Sequence, residues 1–109
     1  MSWADLHART DILHTVLDRA ARNPADATLF HELPELERLF GGTDGLLLAL
    51  RHRWENHLHV KLDNALAQGK SAVEVYLELA GEQPALRAIL DTYDTDHLYI
   101  RPRTRALAR

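Results

Sequence analysis

Cysteine is absent from this 109-residue chain, which excludes disulfides, thiolate metal ligands and a cysteine nucleophile. Aromatic residues make up only 6% of it, so a core has to be assembled from Leu, Ala, Val and Ile, a composition that suits helices better than sheets. No apolar run approaches the roughly 18 residues of a membrane span, and no signal-like segment precedes the first helical pattern. A cytoplasmic protein without a membrane partner is the expectation. Gly-x-Ser-x-Gly, a phosphate-cradling glycine loop and His-Glu-x-x-His are all missing. The two serines, Ser2 and Ser71, both read as helix caps, so no catalytic residue is nominated and no cofactor is called for by a motif.

What remains is ordinary for a folded domain: 46% hydrophobic and 27% charged residues. Residues 1–93 read as a single helical domain, and 94–109 as an extended arm ending in a basic tail. Charge is spread unevenly. Of the 13 Lys and Arg, four lie in the last nine residues, RPRTRALAR, whereas all 16 acids precede them, so the first hundred residues carry −7 and the tail +4. An acidic body is a poor match to phosphate. Nucleic acid is therefore expected to be met, if at all, through Arg101, Arg103, Arg105 and Arg109, which suit an acidic protein surface or the body itself equally well.

The organising stretch is Thr43–Gln68, about 25 residues without an internal proline, running from Thr43 as expected N-cap to Gly69 as stop. As a helix it is about 37 Å long, more than the diameter of so small a domain. It is expected to form a spine or to project toward a partner. Gly45 is its only poor helix former near the start and should cost little there. Leu47, Leu50, Trp54, Leu58, Leu62 and Ala65 share its core face, Leu48 and Leu66 lie on the flank, and Val60 lies on another side.

Around the spine, Ser2 and Asp5 cap a first helix to about Arg22, with Leu6, Leu13, Val16, Leu17 and Ala20 as its buried stripe. Asn23-Pro24 is expected to restart a short helix carrying Leu29, Phe30 and Leu33. After Pro34, ELERLF forms another short turn that ends at Gly41-Gly42. Ser71 and Glu74 form a capping box, and Val73, Tyr76, Leu77 and Ala80 repeat at i, i+3, i+4, i+7 as an apolar stripe. Pro84 opens a last helix with Leu86, Ile89, Leu90 and Tyr93. The predicted fold is all-α, four to five helices around the 43–68 spine in a dimeric bundle.

Two lines of histidine and carboxylate run along helices: His7, Asp11, His14 and Asp18 on the first, and His52, Glu55, His59 and Asp63 on the spine. Such donors suit a divalent metal, and facing helices are how bundles assemble one. Both lines nevertheless oppose their helix's apolar stripe, which also fits a solvated face of paired charges. His31 and His57, near apolar flanks, read as packed histidines. Gly41-Gly42-Thr43 offers a helix N-terminus to an anion, although a glycine stop and restart is the commoner use.

Phe40-Gly41-Gly42-Thr43-Asp44-Gly45 followed by Leu46–Leu50 resembles the junction of TetR-type regulators, in which an aromatic and a small residue end the DNA-reading unit and a leucine-rich segment opens the long connecting helix. EQPALRAIL, residues 82–90, is similar to a loop and helix of their ligand domains. The resemblance implies an all-helical dimer. Glu37 stands near the position of the family's tyrosine and Thr43 replaces its usual lysine, so no residue role is carried over. Three functions follow as expectations: a non-enzymatic interaction or regulatory module working as a homodimer, a metal-binding helical protein using His7, Asp11, His14, His52, Glu55 and His59, and a degenerate ligand-sensing or DNA-binding regulator.

Overall fold

The computed structural model describes residues 2–93, and among them every regular element is helical. Five helices follow in order: α1 (Trp3–Arg22), α2 (Leu36–Phe40), α3 (Thr43–Gln68), α4 (Ala72–Glu82) and α5 (Pro84–Tyr93). The expected arm and arginine tail, with Arg101, Arg103, Arg105 and Arg109, lie outside the described residues.

The helix ends follow local chemistry. Ser2 Oγ accepts the Asp5 amide at 3.1 Å and starts α1. Ser71 and Glu74 close the capping box of α4, the Ser71 amide donating to Glu74 and the Glu74 amide to Ser71 Oγ. Gly41 ends α2 and Gly69 ends α3, both left-handed, a conformation that needs no Cβ. Gly42, also at positive φ, is the N-cap of α3, so Thr43 is the first helical residue and not the cap. Gly45 matters more than its helix propensity suggests, because a Cβ there would run into the backbone carbonyl of Phe40. The α2–α3 junction is thus closed over a glycine.

Two expectations fail here. Residues 23–35 form turns, not a helix. Asn23 Oδ1 accepts the Ala25 amide, and Asp26 Oδ1 accepts both the amide and the hydroxyl of Thr28; such local bonds satisfy the backbone without a helical ladder. Arg19, from α1, donates to the carbonyls of Thr28, Leu29 and His31 and fixes the segment against the helix. Leu29 and Leu33 are nevertheless buried, as expected of their apolar character. On α4 the buried pair is Val75 and Leu79, not the stripe of Val73, Tyr76 and Leu77, which is exposed.

The main core joins α1 (Ile12, Val16, Ala20), the turns (Leu29, Leu33), the first half of α3 (Leu46, Leu50, Trp54), Leu79 and α5 (Leu86, Ile89, Leu90). Leu6, expected inside, is exposed, and Ile12 takes its place; Leu46 is fully buried where Leu47 is only partly so. Trp54 is 5% exposed. Its ring meets Tyr76 edge-on at 5.5 Å, and the Arg87 guanidinium lies 4.5 Å from its centroid. Beyond Trp54, the second half of α3 buries little except Ala65 and packs against α4. The spine therefore crosses the core with its first half and forms a hairpin with α4 in its second.

Candidate functional site

The histidine lines sit where their spacing puts them, on the outer faces of α1 and α3. His7, Asp11 and His14 are exposed, as are His52, Glu55 and His59. On α3 a shallow groove of about 480 Å³ runs along His52, Glu55, Asn56, Leu58, His59 and Leu62. His52 and His59 are seven residues apart, about 10.5 Å along the axis, whereas Glu55 and His59 share the four-residue spacing of a two-ligand pair. Among the described residues no group of three or more His, Asp or Glu side chains is gathered to hold a metal ion. His31 and His57, expected to pack, are exposed as well; His57 lines a second groove with Asn56, Val60, Lys61, Leu79 and Glu82.

The α3–α4 hairpin is closed by charge. Lys61 donates to Glu82 at 3.2 Å and Glu78 at 3.5 Å, and Lys70 meets Glu78 at 2.7 Å. The hydrogen bond to Glu82, reinforced by Glu78, lifts the Lys61 ammonium above its ordinary value. The hydrogen bond from Lys70, reinforced by Lys61, holds the Glu78 carboxyl below its own. With Glu74 used in the cap, all three acids of α4 are committed within the chain. At the other end Arg38 ties α2 to α1 through Asp5 at 2.9 Å and also meets Glu35. Its hydrogen bond keeps the Asp5 carboxyl below the usual range.

The surface is more apolar than the sequence pattern implies. Leu66 is 91% exposed, Val73 67%, Leu77 62% and Val60 61%. Leu66 and Val60 lie off the α3 core face, as their spacing indicates. Val73 and Leu77 are the surprise, since their periodicity is regular and their face is open. The signal that separates the two faces of α4 is Val75 with Leu79, a second apolar pair four residues apart that the longer stripe overshadows. The roles of Arg87, stacked on Trp54, and of Arg19, gathering carbonyls, leave no trace in residue spacing. Compared with known proteins, the chain matches no family model, no curated protein and no solved structure.

Proposed function

We propose that this chain is a small non-enzymatic interaction or regulatory module that works as a homodimer. The observation that carries this is the outer face of α4, where Val73 and Leu77 stand 67% and 62% exposed. Single exposed apolar residues are ordinary, but two of them one turn apart, opposite the helix's buried face, are the mark of a surface that a partner covers. Light scattering at tens of micromolar tests it: a mass of two chains is expected, and a mass of one chain at every concentration retires the homodimer.

Metal binding is the second reading, favoured by the groove along His52, Glu55 and His59. A protein metal site takes about three or four donors, so two copies would have to pool theirs. A thermal shift with zinc that Glu55→Gln and His59→Ala abolish supports it, and no shift removes it. The regulator reading has less behind it. Between Arg22 and Thr43 the chain has only the five helical residues of α2, too few to lay a recognition helix in a major groove.

A further inference from the structure

We infer that the outer face of α4, centred on Leu77, is the surface through which two copies of this chain pair. The inference rests on the homodimer reading and says where the contact lies. Along α4 the buried residues are Val75 and Leu79, and the exposed pair Val73 and Leu77 is rotated about 160° from them at 100° per residue. Tyr76 and Ala80, at i+3 and i+7, border this pair on the side turned toward Trp54 and the core. A helix with apolar residues on opposite faces belongs between two layers of protein, and the described residues supply only one.

Three features select a second copy as the other layer. The stripe carries no charge, and the acids beside it are already engaged: Glu74 by the Ser71 amide, Glu78 by Lys61 and Lys70, and Glu82 by Lys61. Two such faces meet without bringing unpaired carboxylates together, and neither offers a charged peptide or a phosphate anything to read. Val73, Leu77 and Gly81 also fall on one line at i, i+4 and i+8. With a two-fold axis at Leu77 and the helices antiparallel, Val73 of each copy lies opposite Gly81 of the other, large against small. Open space above Gly81, where an added Cβ would meet nothing, leaves room for that approach. Finally, α4 has 11 residues and is about 16 Å long. The contact is accordingly at the small end of specific interfaces, and a weak dimer dissociating in the micromolar range is expected.

The absence of cysteine makes the test direct. In the full chain, Leu77→Cys places one thiol per copy at the axis, and Val60→Cys places one at an equally exposed position on α3, off the stripe. Mild oxidation is expected to convert Leu77→Cys largely to a disulfide-linked pair and to leave Val60→Cys mostly single, because the bond needs Cα atoms within about 7 Å. Sedimentation of Leu77→Glu beside Val60→Glu, with circular dichroism to confirm that both stay helical, adds the converse. The first is expected to weaken association at least tenfold, and the second to leave it as in the unaltered chain. Should the unaltered chain pair while Leu77→Cys fails to cross-link and Leu77→Glu pairs as before, the α4 face is wrong and the homodimer survives. An unaltered chain that stays single at all concentrations overturns both.

Discussion

Replacing Trp54 with Ala tests the orientation of the spine, on which the placement of every other residue depends. The indole is 5% exposed and fills the centre of the core face of α3, with Leu50 one turn before it, fully buried, and Leu58 one turn after it, partly buried. Emptying a large aromatic site costs about 3–5 kcal/mol through lost transfer and the cavity left behind. Two contacts go with the ring: the edge-on meeting with Tyr76, a kind of pair that contributes about 0.5–1.5 kcal/mol, and the Arg87 guanidinium stacked on it. These terms overlap, so the upper half of the 3–5 kcal/mol range is the expected total. Arg87 keeps Asp91 at 3.0 Å, which limits the damage to packing. With a urea slope of roughly 1 kcal/mol per molar, the midpoint should fall by about 4 M or more. Circular dichroism is the suitable readout, because the substitution removes one of the two tryptophans. His52→Ala and His59→Ala, on the exposed face, should each change stability by less than about 0.5 kcal/mol. A near-silent Trp54→Ala beside a damaging His59→Ala would mean that the helix is turned the other way.

Gly45→Ala should destabilise the chain although alanine is the better helix former by about 1 kcal/mol, because the new methyl collides with the Phe40 carbonyl; a rise in the thermal midpoint would refute the close junction. Leu29→Ala should cost about 2–5 kcal/mol despite lying outside any helix, since Leu29 is 1% exposed; a urea melt unchanged by it would show that residues 23–35 are not fixed to the core. Stability should fall in acid. Asp5, held down by Arg38, Asp26, held down by Thr28, and Glu78, held down by Lys70, are lowered in the fold; their contribution is present above the ordinary carboxylate range and is lost as pH falls through the lowered values, from about pH 4 downward. Urea midpoints between about pH 5 and pH 2 check this, with Glu78→Gln expected to shallow the decline, and a flat acid limb would contradict it.

The helices that show in the sequence are those with two signals in agreement. α1 has both a Ser2 cap and a regular stripe, α3 is long and stopped by Gly69, and α5 begins at a proline and places Leu86, Ile89 and Leu90 on one face. Residues 23–35 mislead because Asn23-Pro24 is as good a helix start as it is a turn, and the choice is made by Asp26 and by Arg19 reaching from another element. The α4 face misleads for a different reason. Both of its sides are apolar, so period alone has no preference, and the choice of Val75 and Leu79 is made by how α4 folds back on its neighbours α3 and α5. Gly45 belongs with these cases, since its need for a bare backbone comes from Phe40 passing close by. The histidine lines are legible as lines, but whether a line of donors becomes a site depends on what another helix brings to it.

The dependence of urea unfolding on protein concentration tests the homodimer most directly. If two folded chains pair through surface that the unfolded chain does not offer, mass action stabilises the fold as concentration rises, by about 2.7 kcal/mol for a concentration one hundred times the dissociation constant. The account predicts a urea midpoint that climbs steadily from low micromolar to several hundred micromolar protein. A midpoint that stays the same across that range would contradict it.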